Sequence, residues 1–393
     1  MIPRPLYLER IERSFRIHPV TALLGPLQCG KTTLARLLAS REPTTYFDLE
    51  DPTDRARLAN PAQTLGPLKG LVVIDELQRQ PALFEVLRVL ADRPRSRTRY
   101  LVLGSASPSL VKGITETLAG RVGFVDMGGF SLGEAGPGRL RRLWLRGGFP
   151  RAYLASGEEE SLEWRAGFIR TFLERDVPQL GITTPAETLR RFWTMTAHYH
   201  GQVWNAAEFA RALGSAENTA RRYLDILAGA YMLRVLPPWF ENLGKRQVKA
   251  PKIYLRDSGI LHALLQVASL HDLQGHPKIG ASWEGFALEQ LLTLLDTRDA
   301  YYWATHAGAE LDLLVLRGGK RYGFEFKYAD APTPTRSMRV AIEDLRLDHL
   351  WVVHPGSKSW PVDEKITVRP LQGIDALVAS LGRSSARSRH GHL

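Results

Sequence analysis

The chain has a single cysteine, Cys29, so no internal disulfide can form and a reducing compartment is the expected home. Apolar runs long enough to cross a bilayer are also missing, and the opening residues MIPRPLYLER lack the apolar core of a signal peptide. The expectation is a cytoplasmic protein with no membrane partner. No histidine and cysteine share zinc-binding spacing, so His306 and His349 read as isolated surface histidines. Negative charge is the scarcer sign: 41 acidic residues face 52 lysines and arginines, and the net +11 favours polyanions such as nucleic acid or an acidic membrane surface. At 393 residues the chain exceeds one ordinary core, and several domains are expected. Residues 382–393, GRSSARSRHGHL, are polar, basic and aperiodic, and read as a disordered tail.

Against these absences stands Leu23 to Leu38, LLGPLQCGKTTLARLL. It reads as an apolar strand, a loop GPLQCGKT and a helix, the context that a phosphate-binding loop requires. Gly25 and Gly30 would let the backbone curl so that its N–H groups cradle a triphosphate at the positive end of the helix. Lys31 would reach the β- and γ-phosphates, Thr32 would hold Mg²⁺, and Thr33 lies next to them on the phosphate side. Thr44 to Asp51, TTYFDLED, reads as a second strand, and Gly70 to Glu76, GLVVIDE, as a buried strand ending in two carboxylates. Asp75 would complete the Mg²⁺ shell through water, and Glu76 would activate the attacking water. A further strand, YLVLGS, ends at Ser105, where a polar sensor would touch the γ-phosphate or the attacking water. Arg121 closes the helical stretch that follows and precedes a fifth strand, VGFVDM. By position alone it is either a helix-terminal cation or a functional one.

The elements GPLQCGKT, VVIDE, LGSAS and LAGR, in this order, resemble the AAA+ superfamily. More narrowly they resemble a group of prokaryotic ATPases whose C-terminal half is a domain of unknown function. The resemblance implies ATP and Mg²⁺ as ligands. It also implies that Arg121 is an arginine finger serving a neighbouring subunit, hence a homo-oligomer, with a ring as one form. Gly147, Gly148 and Pro150 in RGGFPRAYL are similar to a lid element in which the proline borders the adenine, and Arg151 is a weaker second sensor.

The middle of the chain reads as helical. Residues 131–184 fit a lid, in which FIRTFLERDVPQL is a plain amphipathic helix. Within 185–250, a helix from Ala186 to Tyr199 precedes NAAEFARALG, capped by Asn205, a turn at Gly214, AENTARRYLDILAG, and YMLRVLPPW, which would begin a wing. This is a helix-turn-helix pattern whose Arg221 and Arg222 either enter the major groove of DNA or form a solvated face.

Farther along, ELDLLVLRGGKRYGFEFK, Glu310 to Lys327, reads as a β-hairpin turning at Gly318 and Gly319. If Arg317 pairs with Lys320, Asp312 lies directly opposite Glu325, with Lys327 on the same face. Facing carboxylates need a cation, and Mg²⁺ beside a lysine is hardware for phosphodiester hydrolysis. On the preceding helix Glu284 and Glu289 are five residues apart, so only one of them can serve that site. The pattern resembles the PD-(D/E)XK nucleases, which implies Asp312, Glu325 and Glu284 as metal ligands and Lys327 as a catalytic lysine. Here Leu311-Asp312 replaces the Pro-Asp of that pattern.

The expected α/β architecture is therefore a parallel-sheet P-loop ATPase core (1–130) with a helical lid (131–184), a winged helix-turn-helix (185–250), a nuclease-like α/β domain (251–381) and a tail (382–393). The expected function is ATP hydrolysis coupled to DNA binding, with metal-dependent cleavage as one outcome. The alternative is a nucleotide-gated DNA- or protein-binding switch whose nuclease-like domain is silent.

Overall fold

Val20, Ala22 and Leu24 point to one side of the first strand and Leu23 to the other, and all four are buried, as in a strand covered on both faces. The computed structural model describes residues 2–381 apart from 95, 106, 107, 180, 181, 183, 243, 245 and 298; the expected tail, 382–393, lies outside the described residues. Five strands, β1 (Val20–Gly25), β2 (Thr44–Asp48), β3 (Leu71–Asp75), β4 (Arg99–Ser105) and β5 (Val122–Asp126), form a parallel sheet in the order β2-β3-β4-β1-β5. Helices Pro5–Phe15 and Lys31–Ala39 cover one face through Tyr7, Ile11, Leu34 and Leu38. Helix Leu83–Ala91 covers the other through Leu83, Phe84, Leu87 and Leu90. Because β4 lies between β1 and β3, the loops after β1 and β3 leave the same sheet edge one strand apart, where open α/β sheets bind ligands.

Contacts divide the chain into two compact units. The first is Met1–Gly129 with Gln179–Ile182 and Asp225–Met232; the second is Phe130–Pro178, Thr183–Leu224 and Leu233–Leu393. In the first unit Tyr231 packs against the apolar core of the sheet, and its hydroxyl bonds the Asp126 carboxylate.

The middle of the chain follows the expected order with one addition. Helix Ala186–His198 leads into a short strand β6 (Gln202–Val203), then helix Ala206–Leu213, which Asn205 caps by accepting the Glu208 N–H. Gly214, at φ 64°, ends that helix, and helix Glu217–Gly229 follows. Strands β7 (Leu233–Leu236) and β8 (Lys252–Leu255) complete an antiparallel sheet in the order β6-β8-β7. The expected boundary at 250 therefore falls inside this sheet. FIRTFLERDVPQL departs from a plain helix: after Glu158–Thr171 the turn widens to π geometry over Phe172–Asp176.

The remaining strands, β9 (Ala300–Ala304), β10 (Glu310–Arg317), β11 (Lys320–Phe326), β12 (His349–His354), β13 (Trp360–Pro361) and β14 (Ile366–Pro370), form a sheet in the order β13-β14-β12-β11-β10-β9. Helices Ile279–Leu295 and Arg336–Asp344 pack on it. Gly318 and Gly319 have φ of 60° and 75°, the two left-handed residues of a tight hairpin turn, and Arg317 pairs with Lys320.

Buried polar links join the segments expected as the lid and the C-terminal domain. The Trp144 indole N–H donates to Ser282 Oγ at 3.0 Å, His262 Nε2 lies 2.7 Å from the same hydroxyl, and Arg165 donates to the carbonyls of Leu145 and Gly259. Among the described residues no helix is long and apolar enough to cross a membrane.

Candidate functional site

The loop after β1 curls where two successive features demand it. Gln28, at φ 62°, and Gly30, at φ 100°, adopt left-handed backbone, and Gly30 then caps helix Lys31–Ala39. Gly25, expected to share in that curl, has no positive φ; it is needed because a Cβ there would lie 2.0 Å from the Met127 carbonyl oxygen. Arg4, which carried no signal in the sequence, braces the loop. Its buried guanidinium donates to the carbonyls of Cys29 and Gly128, each at 3.1 Å, and of Gly129 at 2.6 Å. Lys31 is also buried, and its ammonium donates to the carbonyls of Gly25 (3.0 Å) and Pro26 (2.8 Å). Thr33 follows in the first turn of the helix.

Asp75 ends β3 and is 1% exposed, so its charge needs partners. Its Oδ2 accepts from the Thr32 hydroxyl at 2.8 Å and from the Tyr46 hydroxyl at 2.7 Å, and its Oδ1 accepts the Glu76 N–H at 3.0 Å. Tyr46 comes from the neighbouring strand β2, and burial together with the Asp75 charge drives its phenol well above the usual range. Glu76 sits at φ 57° and accepts a hydrogen bond from the Gln78 amide. Burial pushes its carboxyl upward against the pull of Lys31, the direction that suits a general base. The hydroxyl of Thr32 and the carboxylate of Asp75 make a hard-oxygen pair, and this donor set fits Mg²⁺.

Three other expected residues, Arg121, Ser105 and Pro150, come from other parts of the chain. The Arg121 guanidinium grips Asp92 through two bonds, Nε to Oδ1 at 2.6 Å and Nη2 to Oδ2 at 2.8 Å, and donates to the Ala119 carbonyl. It is therefore engaged within its own unit instead of standing free for a neighbour. Ser105 ends β4, but its side chain lies outside the described residues. Pro150 opens helix Pro150–Leu154 at the first helical position, in the second unit.

The hairpin supplies a second polar centre. β10 carries one residue more than β9: Leu311 pairs with Trp303 and Leu314 with Tyr301, so Asp312 and Leu313 bulge opposite Tyr302. Its register with β11, counted from Arg317 and Lys320, sets Asp312 across from Glu325, and Asp312 Oδ2 accepts the Phe326 N–H at 3.0 Å. Lys327 Nζ lies 2.8 Å from Glu325 Oε2 and 3.9 Å from Asp312 Oδ2. Of the two helix glutamates it is Glu284 that joins them, while Glu289 pairs with Arg234 and Arg256.

Lys252, on β8, is the member that sequence reasoning missed. Its buried ammonium stands 3.3 Å from Glu284 Oε1 and 3.8 Å from Asp312 Oδ1, bonds Glu310, and faces the Tyr302 ring at 5.7 Å. The Tyr254 hydroxyl donates to Glu284 Oε1 at 2.7 Å. Burial, then the Asp312 charge, raises the carboxyls of Glu284 and Glu325. Burial opposes charging Lys252, but the surrounding carboxylates outweigh it and keep the ammonium protonated. The expected metal ligands Asp312, Glu325 and Glu284 are thus near one another, yet they do not fit a metal. Asp312 Oδ1 faces one ammonium and Oδ2 another with an N–H, and among the described residues no group of three His, Cys, Asp or Glu is gathered tightly enough to hold an ion.

Of the remaining expectations, Arg221 lies 3.6 Å from Glu217 on an exposed helix face, and His349 bonds the Thr367 hydroxyl. Two histidines that drew no notice, His200 and His262, are buried and held neutral, with pKa values pushed down to about 3 mainly by burial.

Residues 18–136 match the AAA domain family, and residues 138–271 and 279–374 match two different domains of unknown function. The uncharacterized protein Rv2008c of Mycobacterium tuberculosis is 51% identical over 374 residues, 95% of this chain and 85% of that one. Uncharacterized protein Mb2031c of Mycobacterium bovis matches to the same extent. Among solved structures, a Walker-type ATPase of Pyrococcus abyssi aligns with a TM-score of 0.49 and 16% identity, covering 67% of this chain and 96% of that one. The Drosophila ORC bound to GC-rich DNA and Cdc6 aligns with a TM-score of 0.24 and 11% identity, covering 67% and 91%. With its phosphate loop, its Thr32–Asp75 pair and this extent of identity, the chain belongs to the same family as the two mycobacterial proteins, and its N-terminal module is an AAA-type P-loop ATPase domain.

Proposed function

We propose that the protein hydrolyses ATP with Mg²⁺ and uses the cycle to switch a nucleic-acid-binding second unit. The observation that carries the ATPase reading is the Thr32 hydroxyl on the Asp75 carboxylate at 2.8 Å, at the edge where Lys31 and Glu76 also lie. Lys31, Thr32 and Thr33 would hold the phosphates, Thr32 and Asp75 the ion, and Glu76 would take a proton from the attacking water. The ion's contribution is to neutralise charge on the phosphates. Ser105 serves as the polar sensor. Arg121 acts across a homo-oligomer interface by exchanging Asp92 for a neighbour's phosphate.

Lys31→Ala is expected to lose nucleotide binding, measured with a fluorescent ATP analogue. Glu76→Gln is expected to bind ATP normally and hydrolyse it at least about a hundredfold more slowly. Equal turnover by Glu76→Gln and the parent removes the assigned role.

The helix-strand-helix-helix-strand-strand order over residues 186–255 supports a winged helix, and the net +11 charge supports DNA as the partner. The hairpin and the acid–lysine array of the C-terminal sheet support a nuclease-like domain. A specific observation favours the switch over a metal-dependent nuclease: the buried Lys252 ammonium among Glu284, Glu310 and Asp312. On this reading the domain grips DNA in a reducing cytoplasm without cutting it. DNA binding that falls steeply with salt and plasmid that stays intact in Mg²⁺ or Mn²⁺ are the expected results.

A further inference from the structure

We propose that Lys252 is the resident cation of the C-terminal acidic cluster, filling the place a divalent ion would take and keeping metal out. This rests on the reading of that domain as silent and gives it a physical cause.

The geometry is that of a filled site. Glu284 comes from a helix, Glu310 and Asp312 come from a later strand, and all three converge on one ammonium. A divalent ion bonds carboxylate oxygens at about 2.0–2.6 Å, so it would have to take the volume that Lys252 Nζ already holds. The two cations cannot share it, because like charges a few ångströms apart in a buried site repel strongly. On the other side of Asp312 the second oxygen accepts the Phe326 N–H at 3.0 Å and faces the Lys327 ammonium at 3.9 Å, a further positive charge that opposes an ion there.

The lysine is also anchored. Its strand β8 is paired on both sides, with Ile253 and Lys252 opposite Gln202 and Val203 on β6 and with Lys252 opposite Leu236 on β7. The ammonium is therefore supplied by the fold itself at a concentration that no dissolved ion matches. The Tyr302 ring, 5.7 Å from Nζ, and the Tyr254 hydroxyl on Glu284 close the apolar and polar sides of the same space.

The test is a Mn²⁺ titration of the full chain followed by the electron paramagnetic resonance of free Mn²⁺, without nucleotide and in an Asp75→Asn background that disables the nucleotide site. The parent is expected to bind no Mn²⁺ at millimolar concentration. Lys252→Met is expected to bind one ion at least about tenfold more tightly than any binding seen in the parent, and Asp312→Asn added to it is expected to abolish that binding. If Lys252→Met fails to fold, Lys252→Gln, which retains a polar end for Glu310, supplies the same comparison. A parent that binds one Mn²⁺ and loses it with Asp312→Asn overturns the assignment, as does a folded Lys252 variant that gains no ion. DNA cleavage by a parent that binds no metal overturns the silent-domain reading and leaves Lys252 as the resident cation.

Discussion

On Asp75 a single carboxylate oxygen accepts two hydroxyls, and only one of them was foreseeable. Thr32 follows Lys31 in a contiguous motif, whereas Tyr46 arrives from a strand whose alternation TTYFD names no partner. Removing the Tyr46 hydroxyl leaves the carboxylate free to turn away from Thr32. A hydrogen bond to a charged group contributes about 1.5–3 kcal/mol, so Tyr46→Phe is expected to loosen Mg·ATP binding by about tenfold. Titrating a fluorescent ATP analogue against Mg²⁺ in both proteins measures it. Lys31, Thr32, Asp75 and Glu76 were legible because each sits in or beside a local motif. Arg4 and Lys252 were not, since a lone basic residue in a helix start or a strand looks the same whether it is solvated or buried. What distinguishes them is a partner far away in sequence, such as Gly128 for Arg4 or Asp312 for Lys252. Arg121 shows the converse: its position at a helix end was visible, and its grip on Asp92 was not.

Strand β1 ends against the chain leaving β5, and that close passage is what makes residue 25 glycine. A methyl at Gly25 would sit 2.0 Å from a backbone oxygen, which cannot swing aside as a side chain can. Gly25→Ala is therefore expected to destabilise the first unit by about 1–3 kcal/mol and to displace the phosphate loop, seen as a lowered melting temperature that saturating ATP no longer raises. Elements whose signals are local were legible: the strand-loop-helix at the start, the Asn205 cap, the Gly214 stop and the double-glycine hairpin. The sheet that spans position 250 was not legible, because β8 pairs with β6 some fifty residues earlier and no feature of KIYL says which sheet it will join. The bulge at Asp312 escaped for the same reason, since it is a mismatch between two strands and belongs to neither alone.

Across the molecule, stability and pH are linked through groups that the fold keeps uncharged. In the unfolded chain a histidine takes up a proton near pH 6.5, while His262 resists until about pH 3, so the stability it contributes is complete above 6.5 and is lost as the pH falls towards 3. His262→Gln removes that dependence. The stability gap between parent and variant is expected to narrow below pH 6.5 by up to about 1.4 kcal/mol per pH unit. Tryptophan fluorescence during urea unfolding reads this cleanly, because all nine tryptophans lie beyond residue 143, in the second unit. A constant gap between pH 7 and pH 5 contradicts the buried, neutral state of His262. The three pieces of the first unit have a consequence for synthesis. A nascent chain holds the whole nucleotide loop by residue 33 but does not carry Tyr231, which packs on the same core, until some two hundred residues later. The ribosome thus releases the ATPase module unfinished, and a contact of its core arrives only after residues 130–178 of the second unit have been made.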